Sequence, residues 1–114
     1  MAASRAVRTW VPVVVWAAVI FAFSSIPSLS SGLGVWDLVL RKLAHMAEYA
    51  ILGALLLRAL ERPLAAFAAA VAYAATDEVH QHFVRGRHAS ALDVGIDAAG
   101  VALGIVAVGL AARR

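Results

Sequence analysis

Residues 37–60, DLVLRKLAHMAEYAILGALLLRAL, decide the fold. At about 1.5 Å per residue, a helix of this length crosses the roughly 30 Å hydrocarbon core of a bilayer. Asp37 reads as its cap and Leu60 as its approximate end. Yet the stretch carries Lys42, His45 and Glu48. Ionisable side chains at membrane depth are costly and usually face a bundle interior. The stretch is therefore one member of a helix bundle, with its charge turned inward.

Working outward, Thr9 to Trp36 holds no charge, and Trp10 to Ile26 is strongly apolar, enough for a first span at about 9–26. Pro27 and the run Ser28, Ser30, Ser31, Gly32 and Gly34 then break the chain into a loop. Beyond the second span, Arg62-Pro63 marks a tight turn, and Pro63 suits the first position of a third helix at about 63–84. Arg85-Gly86-Arg87-His88 forms a short loop, and Ser90 caps a fourth helix at about 91–112. Ala65 to Ala75 is a small-residue face for close helix approach. The expectation is an all-α, integral membrane four-transmembrane-helix bundle, a single domain over residues 1–114.

Composition agrees. The chain is 63% hydrophobic and 15% charged, with a mean hydropathy of +0.85, whereas soluble domains are nearer half apolar and a quarter charged. The net charge of +3 comes without a basic stripe, so no nucleic-acid partner is expected. There is no cysteine, which excludes disulfides and thiolate metal sites. The arginines read as topology. With four spans, Arg5, Arg8, Arg58, Arg62, Arg113 and Arg114 share one side, which the positive-inside rule makes cytoplasmic. Both termini are then cytoplasmic. Arg41, Lys42, Arg85 and Arg87 fall on the outer side, offset by Asp37, Glu48, Asp77, Glu78, Asp93 and Asp97. A cleaved secretory signal is not expected, because the first apolar stretch is long and no small-x-small site follows it.

The polar residues inside these spans form a pattern. Lys42, His45 and Tyr49 share a narrow arc of the second helix, with Glu48 on its flank. On the third helix Asp77 and Gln81 are one turn apart, as are Glu78 and His82; on the fourth, Asp93 and Asp97 are. Gly100 and Gly104 continue the fourth helix as a GxxxG face, suited to internal packing or to a homo-oligomer. Acids outnumber bases, so at least one carboxyl is expected to keep its proton or a cation to accompany the group. His45, Glu48, Asp77 or Glu78, and Asp97 are of types that suit zinc or manganese. No HExxH-type spacing is present, however, and no metal or other cofactor is expected.

The ordered set Lys42, His45, Glu48, Tyr49; Asp77, Glu78, Gln81, Phe83; Gly86-Arg87, Ser90, Asp93; Gly100, Gly104 resembles the VanZ-like family of small membrane proteins. The resemblance covers Lys42 to Gly104. It implies a cell-envelope protein of the kind associated with resistance to lipid-tailed glycopeptides such as teicoplanin. Two positions depart from the family's pattern: Asp97 stands where asparagine is expected, and Val84-Arg85 precedes Gly86 where proline is common.

Several residues have plainer readings. Arg41 serves as an interfacial anchor, Trp10 and Trp36 fit the interfacial belt, and Trp16 and Tyr73 need no function. His80 is assigned to the interface and His88 to solvent. Lys42 could simply snorkel, and Arg87 could fold back onto Asp93 or bind an anionic headgroup. The whole set could be a stapling network that fixes helix register. Three functions compete with that reading. The first is a ligand-binding protein whose extracytoplasmic-side site takes a membrane lipid, a lipid-linked cell-wall precursor or a lipoglycopeptide. Its binding residues would be Lys42, His45, Glu48, Tyr49, Asp77, Glu78, Gln81, Arg87, Asp93 and Asp97. The second is an intramembrane enzyme with His45, Glu48 and Glu78 as catalytic candidates. The third is a proton-coupled carrier, for which four helices are few. The first is preferred.

Overall fold

The structure is a computed structural model, which describes residues 2–24, 35–83 and 91–112. Four helices account for almost all of these: α1 (Ala2–Ser24), α2 (Val35–Leu60), α3 (Pro63–His82) and α4 (Ala91–Ala112). α1 starts well before Thr9, because apolarity marks a membrane span while Ala and Arg simply favour helix. α2 likewise starts at Val35, which puts Asp37 inside its first turn and not at its cap. Ser90, expected to cap α4, lies outside the described residues.

Among the described residues, three helices contain stretches long and apolar enough to cross a membrane: Arg5–Phe23, Val39–Leu60 and Asp93–Ala111. α3 is not among them. It has 20 residues, or about 30 Å of helix. Its body is mostly alanine, however, and Asp77, Glu78, His80, Gln81 and His82 crowd its end.

Neighbours in sequence run antiparallel. Trp16 Nε1 donates to the Glu48 carbonyl at 2.8 Å, and Arg58 Nη2 donates to the Arg8 carbonyl at 3.2 Å, so α1 and α2 oppose each other. Tyr73 donates to the Ala17 carbonyl, and Phe21 stacks on His80 with ring centroids 4.2 Å apart, so α1 and α3 run the same way. α2 and α4 are also parallel. α2 packs on all three other helices, most extensively on α4, while α1 touches only α2 and α3. α2 and α3 pack on each other and lie between α1 and α4. The core of the bundle is Val13 and Ile20 from α1, Tyr49, Leu52 and Leu56 from α2, the stripe Ala66, Ala70 and Ala74 from α3, and Val101 from α4.

Two local features shape the bundle. Pro12 lies inside α1 and has no N–H to give the carbonyl four residues before it. That carbonyl belongs to Arg8, and Arg58 of α2 satisfies it. Neighbouring helices commonly re-satisfy backbone groups freed by proline in this way. Glu61 ends α2 with φ of 61°, in the left-handed conformation that helix ends usually give to glycine. Its N–H bonds to the Leu57 carbonyl at 2.8 Å, and α3 begins two residues later.

Candidate functional site

The polar residues of α2 meet those of α3 and α4 as a ladder. At the first rung the Lys42 ammonium donates to Oδ1 of Asp93. At the second, Nδ1 of His45 lies 3.5 Å from Oδ1 of Asp97. At the third, the Tyr49 hydroxyl donates to Oδ2 of Asp77 at 3.0 Å. The rungs lie successively deeper. The Lys42 and Asp93 side chains are 35% and 22% exposed. Asp97, Asp77 and Tyr49 are buried, Tyr49 completely. The His45 and Tyr49 rings are nearly parallel, with centroids 6.5 Å apart.

The glycines explain why short aspartates reach across. Residues 93, 97, 100 and 104 recur at three- and four-residue spacing and so share one face of α4. A Cβ at Gly100 would strike the Met46 carbonyl, and one at Gly104 the Ala50 carbonyl. From the other side, a Cβ at Gly53 would come within 2.8 Å of the Val101 carbonyl. The two backbones therefore touch directly, and α2 of the same chain occupies the Gly100–Gly104 face. Of the two uses the sequence left open, this is internal packing.

The remaining site residues fall around this ladder. Glu48 is half-buried and within electrostatic reach of His45, as is Asp77. Glu78 is buried; it prolongs the Ala66, Ala70, Ala74 stripe by one more turn of α3. Gln81 belongs to the last turn of α3. Arg87 lies outside the described residues. Lys42 is drawn into an ion pair and does not merely snorkel. Asp93 receives Lys42; a pairing of Asp93 with Arg87, one of the readings open to Arg87, falls outside the described residues.

Trp16, Tyr73 and His80 are tied into the site's support, which no spacing signalled. Trp16 bonds to the backbone of Glu48, and Tyr73 both tethers α1 and sits 6.3 Å, centroid to centroid, from Tyr49. Chemically, a carboxylate beside one imidazole nitrogen fixes the ring and leaves its other nitrogen for exchange with a ligand or proton. Buried polar pairs of this kind also fix helix register. Among the described residues, no three of His, Asp and Glu gather in a metal-ligating group.

Comparison with known proteins adds one match. No curated protein and no solved structure matches significantly. A family model described as VanZ/LLP1 matches residues 5–112, nearly the whole chain. The resemblance first seen between Lys42 and Gly104 thus extends through α1, and four of its residues, Lys42, Asp93, Gly100 and Gly104, lie where α2 meets α4. With three helices apolar enough to cross a membrane, the chain is a membrane protein and belongs to the VanZ/LLP1 family.

Proposed function

We propose that the chain is a four-span bundle of the cell membrane with both termini cytoplasmic. Its ladder opens toward the extracytoplasmic side and receives the headgroup of an amphiphile. The fourth span is α3. It packs on α4, α2 and α1, with its alanine stripe in the shared core, and its length of about 30 Å matches the bilayer core. Composition understates it because the site is carried at one end.

The observation behind a binding role is the graded exposure of the rungs, from the accessible Lys42–Asp93 pair to buried Asp97 and Asp77. A headgroup entering from the membrane surface meets exchangeable charge first and a fixed, dry network behind it. Arg87, between α3 and α4 in sequence, is the second cation proposed for the headgroup, and the apolar helix faces hold the tail. A lipid-linked wall precursor and a lipoglycopeptide such as teicoplanin both have this form, which links the site to glycopeptide resistance. The test is expression in a susceptible host. Susceptibility should fall more for teicoplanin than for a glycopeptide without a lipid tail. Glu48→Ala, Glu78→Ala and Arg87→Ala should each remove that protection at unchanged membrane levels. Variants that protect as well as wild type refute it.

The His45–Asp97 pair favours a second reading, an intramembrane acid–base enzyme. Glu78 or Glu48 would act as general base, with His45 as its partner, on a lipid-like ester or phosphate. Turnover of such a lipid by purified protein, lost in His45→Ala, selects this reading over simple binding.

A further inference from the structure

At the end of the bundle away from the ladder, the start of α1 meets the end of α2. Arg5, Arg8, Arg58 and Arg62 all lie here and are all exposed. The carboxylate beside them in sequence, Glu61, is exposed as well. Arg8 and Arg58 differ from ordinary interfacial anchors in one respect. Pro12 leaves the Arg8 carbonyl without a helical donor, and Arg58 Nη2 binds it at 3.2 Å. The Arg58 guanidinium is therefore held in one place beside Arg8. One of its five N–H groups is committed and the rest stay free. A fork held in advance loses less freedom when it closes on a phosphate.

Depth and surroundings fit the same ligand. Arg8 and Arg58 lie within a turn of the ends of the apolar stretches Arg5–Phe23 and Val39–Leu60. Arginine stems run along such surfaces and carry the charge to headgroup level. Val7, Trp10 and Val11, on the adjoining surface of α1, are large, apolar and exposed. Such a surface suits an acyl chain, and tryptophan suits the headgroup boundary. Basic pockets between membrane helices bind phospholipid headgroups in this manner.

We propose that Arg8 and Arg58 form a seat for the phosphate of an anionic phospholipid at the α1–α2 end of the bundle, separate from the polar ladder. The inference needs neither the ladder's ligand nor the orientation of the chain.

The full-length protein is placed in nanodiscs containing phosphatidylcholine and phosphatidylglycerol, and retained lipid is read by native mass spectrometry after release. Wild type should retain phosphatidylglycerol over phosphatidylcholine. R8Q/R58Q should lower that preference about twenty-fivefold, at about fivefold per arginine. R8K/R58K, which keeps the charge and loses the fork, should fall in between. R5Q/R62Q removes the same charge at the same end and should lose much less. No preference in wild type overturns the seat, and that measurement stands even if the glutamine variants fail to fold. Equal losses in R8Q/R58Q and R5Q/R62Q overturn it too, since they would mean diffuse attraction. Displacement of the lipid by inorganic phosphate alone would overturn its assignment to a phospholipid.

Discussion

Gly104→Ala should damage the ladder from a distance. The added methyl strikes the Ala50 carbonyl, which is backbone and cannot swing aside. Non-bonded heavy atoms rest about 3.5–4.0 Å apart, so α2 and α4 must separate by on the order of 1 Å. Overpacking of this kind costs about 1–3 kcal/mol. The His45–Asp97 pair already stands at 3.5 Å, and the same movement takes it past the roughly 4 Å reach of a close ion pair. Breaking a buried pair adds up to about 3–5 kcal/mol. The assay is unfolding of purified protein in mixed detergent, with Gly104→Ala, Asp97→Asn and the double variant forming a cycle. Because the glycine variant has already spent the pair, the double variant should be less destabilised than the sum of the singles by at least about 0.5 kcal/mol. Gly109→Ala is the control. A Cβ there meets nothing within 4 Å, so it should be neutral or slightly stabilising. Strict additivity, or a Gly104→Ala variant as stable as Gly109→Ala, refutes the link between close packing and the site.

Other perturbations test the remaining joints. Tyr49→Phe keeps the buried ring but removes the hydroxyl that Asp77 accepts from, and should cost about 1–3 kcal/mol in the same assay. Glu61→Gly relieves a left-handed residue at the end of α2 and should stabilise by roughly 1 kcal/mol, read as a higher melting temperature in detergent. Ala70→Leu should destabilise sharply, whereas Ala72→Leu on the exposed side of α3 should be tolerated; comparable yields of folded protein for the two would contradict the buried alanine stripe. Arg58→Ala should weaken wild type more than a Pro12→Ala background, where Arg8 recovers its helical donor.

The helices were legible because their apolar lengths are set by the bilayer, and the glycines and Pro63 punctuate them. The face shared by Lys42, His45 and Tyr49 followed from helical spacing alone. Which acid answers which base did not, since that depends on how far α4 slides along α2. Gly100 and Gly104 fix this offset through contacts with Met46 and Ala50, residues with no chemical signature. The start of α1 was missed for a different reason. Ala2 to Arg8 are helical without being apolar, so hydropathy marked a span and not the helix. α3 shows the converse, a helix whose composition falls short of a span because a polar site is built into its end. Trp16 and Tyr73 gave no warning of their roles, as a single aromatic facing a neighbour's carbonyl has no periodicity to read.

The central proposal is that α2, α3 and α4 bring their titratable groups together at the extracytoplasmic end of the bundle, which requires α3 to cross the membrane. The natural chain has no cysteine, so single cysteines report position cleanly. Phe83→Cys, at the exposed end of α3, should react in intact cells with a membrane-impermeant maleimide. Glu61→Cys, in the turn before α3, should react only after permeabilisation. Labelling of both from the same side would mean that α3 turns back, and the account would fail.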